Sequence, residues 1–356
     1  MRHIYVFIGT TAELIKVAPV IKELKSRRRK FKIVTTGQND INFSEFEWYL
    51  GKIKPDISIG KKNKRSSVWF FIEWTIKTFF KSIYILDKEF SKKNKQDILL
   101  IVHGDTVSSL IGALVGKLLG VKIAHIESGL RSFNYLEPFP EEISRVIISR
   151  LADIHFCPNK WACSNIKNIS GKKINTKQNT LYEIYSSAIK SKDFKKLKEK
   201  VSGKYYVLIM HRQEHVLFDK ENSLELIKKI INSSKLHCVL LTHEISKSML
   251  SEMKEIKDKI IKVDRMPYKE FINLIKKSEY VATDGGSNQE ELYYMGKPTL
   301  ILRRSTERIE GLKSSALLLR KDFRNVEKFV KNYKKFRKNE IGINISPSKI
   351  IVDSII

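Results

Sequence analysis

Carboxylates, imidazoles and a glycine pair that follow apolar runs are the residues able to do chemistry in this chain. Ile98-Leu-Leu-Ile-Val-His-Gly-Asp-Thr106 is a buried-strand pattern that delivers Asp105 just before a helix. Val121-Lys-Ile-Ala-His-Ile-Glu127 repeats the arrangement with His125 and Glu127. A right-handed strand–helix–strand unit puts Asp105 and Glu127 on one rim of a sheet, on adjacent strands. Two carboxylates at a cleft mouth are a candidate acid/base pair. Gly129-Leu-Arg131 and Pro140-Glu141-Glu142, just beyond, add a cation and more carboxylates. Taken singly, either acid reads as a helix cap or a surface charge; together they outweigh that reading.

Two later segments carry the remaining candidates. Tyr205-Tyr-Val-Leu-Ile-Met210 brings His211 and Arg212 out of a buried strand, and His243 ends the next strand in the same way. Tyr280-Val-Ala-Thr-Asp284-Gly285-Gly286-Ser287 is a strand that turns at a glycine pair into a helix bearing Glu290 and Glu291. Backbone N–H groups and the positive end of the helix dipole suit an anion there, and glycines let the backbone approach it closely. Ser287 can cap the helix or contact phosphate, and Glu290 or Glu291 can reach a ribose hydroxyl. With Arg303, Arg304, Thr306 and Arg308 after the next strand, the segment reads as a diphosphate site. The three cysteines, Cys157, Cys163 and Cys238, form no CxxC, so neither a metal nor another cofactor is expected.

Positioning these groups requires parallel strands covered by helices, and the alternation of apolar runs with amphipathic stretches supplies that pattern. Strands are expected at 2–8, 31–36, 98–103, 121–126, 153–156, 205–210, 237–242, 260–263, 279–283 and 298–302. Helices are expected at 12–27, 106–119, 140–151, 222–233, 268–277 and 287–295. The fold class is α/β, with two doubly wound parallel-sheet domains. The N-terminal one runs over 1–168 and the C-terminal one over 169–339, with a closing helix at 340–356 returning to the first. The polar stretch from Asn165 to Lys204 reads as the connection, and a ligand is expected between the domains.

The chain has 356 residues, a hydrophobic fraction of 42% and a net charge of +28, which excludes general disorder. No apolar run is long enough to span a membrane, and the N-terminus reads as a first strand rather than a signal peptide, so a reduced cytoplasmic protein is expected. The lysine surplus suits nucleic acid, an anionic membrane or an acidic sugar nucleotide, or reflects lysine-biased composition. No zinc-finger, homeodomain or RNA-platform signature is present, so nucleic acid is not an expected partner. The stretch Trp69–Phe90, rich in aromatics with lysines and Arg65 at its flanks, reads either as an interfacial membrane helix or as one whose rings face the core or a subunit partner.

In order, Gly9-Thr-Thr-Ala-Glu-Leu-Ile-Lys16, Thr36-Gly-Gln38, His103-Gly-Asp-Thr106, His125-Ile-Glu-Ser-Gly-Leu-Arg131, Pro140-Glu-Glu-Ile-Ser-Arg145, His211-Arg-Gln-Glu214, Asp284–Glu291 and Thr306-Glu-Arg-Ile-Glu310 resemble the UDP-N-acetylglucosamine 2-epimerase family. The resemblance covers roughly residues 1–320. It implies a glycosyltransferase-B-like fold, two Rossmann-like domains facing a central cleft, and a cytoplasmic homodimer acting on a UDP-amino sugar. The implied reaction inverts carbon 2 through a 2-acetamidoglucal, for surface polysaccharide precursors. By motif match, Asp105, Glu127, Glu141 and His211 correspond to the family's acid/base groups, and Arg212, Ser287, Glu290 and Lys16 correspond to or adjoin its nucleotide-binding positions. Departures are Thr11-Ala12 for the usual Arg-Pro, Asp284-Gly-Gly-Ser287 for Asp-Ser-Gly-Gly, Met210 for a glycine and Asn39 for a histidine. A lost charged hydrogen bond to diphosphate costs about 1.5–3 kcal/mol. The alternatives are a membrane-peripheral glycosyltransferase acting on a lipid-linked acceptor, and a sugar-nucleotide-binding protein without catalysis.

Overall fold

The computed structural model describes residues 2–60, 68–135, 137–190, 201, 203–210, 220–242, 258–320 and 323–356. His211, Arg212 and His243 lie outside the described residues. The chain divides into two compact units, Met1–Ile184 with Asn344–Ile356, and Tyr185–Ile343.

The first unit is built on seven parallel strands: β1 (His3–Ile8), β2 (Phe31–Thr35), β3 (Ile57–Ser58), β4 (Ile98–His103), β5 (Lys122–Ile126), β6 (Ile154–Cys157) and β7 (Lys172–Asn175), in the order β3-β2-β1-β4-β5-β6-β7. The central strands are apolar along their length because helices cover both sheet faces. Those helices are α1 (Thr11–Ser26), α2 (Glu47–Leu50), α3 (Val68–Phe90), α4 (Val107–Leu118), α5 (Glu141–Leu151), α6 (Lys160–Asn165) and the start of α7 (Leu181–Ala188). Tyr5, Phe7, Val102, Ile111, Val115 and Ile123 belong to the core beneath them.

The second unit has six strands, β8 (Tyr205–Ile209), β9 (His237–Leu241), β10 (Ile260–Val263), β11 (Val281–Thr283), β12 (Thr299–Ile301) and β13 (Ala316–Leu318), again all parallel, in the order β10-β9-β8-β11-β12-β13. Its helices are α8 (Lys220–Ser233), α9 (Tyr268–Lys277), α10 (Gly286–Tyr294) and α11 (Arg324–Asn332). Tyr206 and Tyr280 stack at 4.7 Å in its core, with Leu208, Ile227, Leu300 and Phe329 in the same cluster. The last helix, α12 (Pro347–Ile355), packs on α1 in the first unit, where Glu183 accepts hydrogen bonds from Ser346 Oγ and from the Ser348 hydroxyl and N–H.

Every strand and helix expected from the sequence is present, and β3, β7 and β13 are additional. β7 lies in the stretch read as a connection. Its sequence, Lys-Lys-Ile-Asn, is polar because it is an edge strand paired only with β6. The stretch Trp69–Phe90 forms α3, and its aromatics divide between two sides. Phe90 is buried and Trp74 and Phe79 pack on the core, whereas Trp69, Phe71, Phe80 and Tyr84 are exposed.

Candidate functional site

In each sheet the strand order reverses once, between β1 and β4 in the first unit and between β8 and β11 in the second. Ligands of such sheets bind at the carboxyl ends of strands flanking the reversal. Gly9 follows β1, Gly104-Asp105 follows β4 and Glu127 follows β5, so the first unit's candidates collect on that rim.

Glu13 holds the rim together. Thr10 and Glu13 form a capping box on α1, and the Glu13 carboxylate accepts from Gly9 N (2.9 Å), Thr10 N (2.8 Å), Thr106 Oγ1 (2.7 Å) and Ser109 Oγ (2.7 Å). The start of α1 is thereby tied to the start of α4. Burial pushes the Glu13 pKa up, and its donors oppose that shift. Gly9 is a glycine by necessity, since a Cβ there would lie 1.8 Å from Ser108 Oγ. Thr11 and Ala12, at the family's Arg-Pro position, are the first residues of α1, so the first cation of this helix is Lys16, more than one turn further on.

Lys16 Nζ lies 2.9 Å from both Glu127 oxygens in a buried ion pair. Asn179 Nδ2 donates to Glu127 Oε2, and His103 Nε2 stands 4.0 Å from the same oxygen. Glu127 adopts φ +64°, a left-handed conformation that a non-glycine residue holds at a cost of about 1–2 kcal/mol, which turns its side chain back over the rim. Asp105 is paired with Arg145, and Arg145 Nη1 also lies 3.1 Å from Glu142 Oε2. Glu142 takes Arg131 on its other oxygen and the Ser132 N–H at 3.0 Å. Glu141 is the first residue of α5, one position before Glu142, and is half-buried. The structure thus gathers Asp105, Glu127, Lys16 and Arg131 into two ion-pair groups, Lys16–Glu127 and Asp105–Arg145–Glu142–Arg131. Sequence reasoning assigned no role to Asn179, Arg145 or Glu13, although Glu13 and Arg145 lie inside the segments that carry the family resemblance; Asn179 lies outside all of them.

The histidines at this rim are buried and neutral. Burial holds His103 down at about 3 and His125 at about 4. His125 Nε2 donates to the Gly104 carbonyl at 2.7 Å, fixing the turn before Asp105. His155 bonds Ser128 Oγ through Nδ1 at 3.0 Å and the Ser170 carbonyl through Nε2 at 2.9 Å, and this steadies the turn after Glu127. Because the unfolded imidazoles titrate near 6.5, stability from burying them neutral is present above that pH and is lost as pH falls toward 4. Each contributes on the order of 2–3 kcal/mol of loss by pH 4.5. Urea unfolding at pH 7 and 4.5 should show this fall, and His125→Asn should make the difference between the two pH values smaller. An unchanged difference would remove His125 from the account.

In the second unit, Asp284 follows β11, Gly285 caps the start of α10, and Gly285 N donates to Thr283 Oγ1 at 3.0 Å. Gly286 is packed so tightly that a Cβ would lie 2.5 Å from Glu307 Oε1. Ser287 follows in the first turn and is half-buried. Glu290 and Arg308, read as separate ligand contacts, are joined in one buried ion pair, and Tyr294 OH donates to Glu290 at 2.8 Å. Arg303 and Glu307 form a second buried pair at 2.7 Å. Gln289 links α10 to the carbonyls of Arg308 (3.2 Å) and Glu310 (2.9 Å). The arrangement offers an anion the amino end of α10, with the charged side chains behind it neutralised within the protein. Among the described residues, no group of three or more His, Cys, Asp or Glu side chains gathers as a metal site.

The sequence profile of UDP-N-acetylglucosamine 2-epimerase matches residues 22–345. The chain is 33% identical to a UDP-N-acetylglucosamine 2-epimerase of Methanococcus maripaludis, over 99% of this chain and 98% of that one. It is 30% identical to the Campylobacter jejuni UDP-N-acetylglucosamine 2-epimerase, over 90% and 86%. Among solved structures it resembles the Methanocaldococcus jannaschii UDP-GlcNAc 2-epimerase in complex with UDP-GlcNAc and UDP, at 26% identity and a TM-score of 0.84, covering 99% of each chain. With a profile match along most of its length and full-length relatives of one description, this chain belongs to the UDP-N-acetylglucosamine 2-epimerase family.

Proposed function

We propose that this protein is a cytoplasmic isomerase that inverts carbon 2 of a UDP-N-acetylamino sugar, converting UDP-N-acetylglucosamine to UDP-N-acetylmannosamine. The observation that carries the reading is the pair Asp105 and Glu127, carboxylates at the ends of adjacent strands, each fixed by its own cation, Arg145 and Lys16. A weakly acidic C–H needs such a fixed base, and inversion needs a second acid/base group for the opposite face of a flat intermediate. One carboxylate takes the carbon-2 proton, the electron pair forms the C1–C2 double bond, and the C1–O bond breaks to release UDP. UDP then adds back as a proton returns to the other face. Asp105, Glu127, Glu141 and His211 are the groups assigned to this proton traffic. The amino end of α10, with Gly285, Gly286 and Ser287, is assigned to the diphosphate, whose negative charge grows as it leaves. Arg212, His243 and Asp284 complete the assigned nucleotide-binding set. Incubation with UDP-N-acetylglucosamine in deuterium oxide should place deuterium at carbon 2 of substrate and product. No exchange and no mannosamine product at high enzyme concentration would end this reading, and the glycosyltransferase alternative would return.

The same proposal includes a homodimer that uses the outer side of α3. Trp69, Ile72, Ile76, Phe80 and Tyr84 follow helical spacing along that side, with Trp69 80%, Phe80 64% and Tyr84 71% exposed. Glu73 and Lys77 pair alongside it, and Lys81, Asp87 and Lys88 also lie beside the stripe. Interspersed charges of both signs complement a second copy of the same helix. No helix among the described residues is long and apolar enough to cross a membrane. Phe80→Glu should halve the mass measured by light scattering, with anionic vesicles leaving the wild type in the supernatant. A monomeric wild type that sediments with the vesicles would replace this assignment by the lipid one.

A further inference from the structure

Asn179 lies outside every motif read from the sequence, yet it is only 3% exposed and reaches the centre of the first unit's rim. It sits in the loop between β7 and α7, and both ends of its amide are engaged. Oδ1 accepts the Leu181 N–H at 3.1 Å, at the start of α7. With the oxygen committed there, the NH2 group is turned toward Glu127 and donates to Oε2. The next residue, Thr180, donates its hydroxyl to the Lys16 carbonyl. One short loop therefore holds the side chain of one member of the Lys16–Glu127 pair and the backbone of the other.

A lysine alone cannot aim a carboxylate. Its ammonium is a compact charge on a flexible stem, and here it is equidistant from both oxygens at 2.9 Å, so it fixes the charge without distinguishing Oε1 from Oε2. Asn179 makes the distinction. Its planar NH2 group engages Oε2, on the side where His103 stands 4.0 Å away. Oε1 is directed toward Gly104, where even a Cβ would lie 3.6 Å from it. Gly104 itself adopts φ +65°, a conformation that favours glycine, so the turn beneath Oε1 is set by backbone alone.

We propose that Asn179 is a positioning residue that selects which Glu127 oxygen handles the substrate proton, engaging Oε2 and presenting Oε1 above Gly104. This rests on the reading of Glu127 as an acid/base group. The ionisable groups around Glu127 are Lys16 from α1, His103 from β4, Asp105 in the turn after it and His125 on its own strand.

Asn179→Asp separates this role from simple capping of α7. The aspartate keeps the shape and the acceptor for Leu181 N–H, and aspartate is as good a capping residue as asparagine. It replaces the donor facing Glu127 with a carboxylate oxygen, so the two acids must share a proton. The expected result is a kcat lower by about 100-fold at pH 7 with KM little changed, and an acid limb of the pH–rate profile displaced upward by about one pH unit or more. Asn179→Ser, which can still cap but is too short to reach Glu127, should lose kcat without the displaced limb and melt close to the wild type. Glu127→Gln is the reference. If it is inactive while both Asn179 variants keep the wild-type kcat and pH profile, the positioning role is wrong and the reading of Glu127 stands. If Glu127→Gln is itself active, the reading of Glu127 fails first. Should Asn179→Asp not fold, wild-type kcat in Asn179→Ser overturns the proposal by itself.

Discussion

Glu127→Gln is expected to lower kcat by about 10²–10⁴-fold, the range for losing a positioned acid/base group. The amide is nearly isosteric, and its carbonyl oxygen can still accept from Lys16, so binding should survive better than turnover. Deuterium exchange at carbon 2 should fall by a similar factor, because the base is needed before either product can form. Asp105→Asn gives the complementary reading. If the two acids serve opposite faces, the variants should differ in whether solvent deuterium enters the glucosamine or the mannosamine epimer faster. A Glu127→Gln enzyme with more than a tenth of the wild-type kcat would exclude this residue from the proton transfer and leave its pairing with Lys16 a matter of stability alone.

Arg308→Met should destabilise the protein by about 3–5 kcal/mol, the range for leaving one member of a buried ion pair without its partner. Glu290 would keep its charge inside the second unit without the guanidinium it pairs with, beside Tyr294 OH and with Glu307 and Glu310 nearby as like charges. Arg308→Met combined with Glu290→Gln removes both charges and should recover most of the loss, because the expense lies in the unmatched charge rather than in the missing bond. Urea unfolding of the two single variants and the double variant measures the cycle. If Arg308→Met unfolds within about 1 kcal/mol of the wild type, the pair is not what keeps Glu290 buried. UDP affinity should fall in the single variant more than in the double, since the guanidinium acts on α10 through Glu290.

The local parts of this architecture were legible in the amino-acid order. Strands β4, β5, β8 and β11 announce themselves as apolar runs, and β4 and β11 run directly into the turn residues Gly104 and Asp284-Gly285. Strands β3, β7 and β13 did not, because two to four residues at a sheet edge carry too little apolar periodicity to stand out from a loop. The site was legible as acids and cations, but not as pairs. Lys16 meets Glu127 across 111 positions, Asn179 meets it across 52, and Arg145 meets Asp105 across 40. Such partners are chosen by the strand order, and that order is a property of the folded sheet. For the same reason the pairing of Glu290 with Arg308 could not be read from the sequence, which offers each as a separate ligand contact.

The placement of α12 on α1 bears on how the molecule is made. Translation delivers Pro347–Ile355 after both sheets have left the ribosome, yet these residues seal the unit that emerged first. The nascent N-terminal lobe must wait with the α12-facing side of α1 uncovered, while the later lobe already has all its strands. Chaperone capture and aggregation during synthesis should therefore concentrate on the half of the polypeptide that appears earliest.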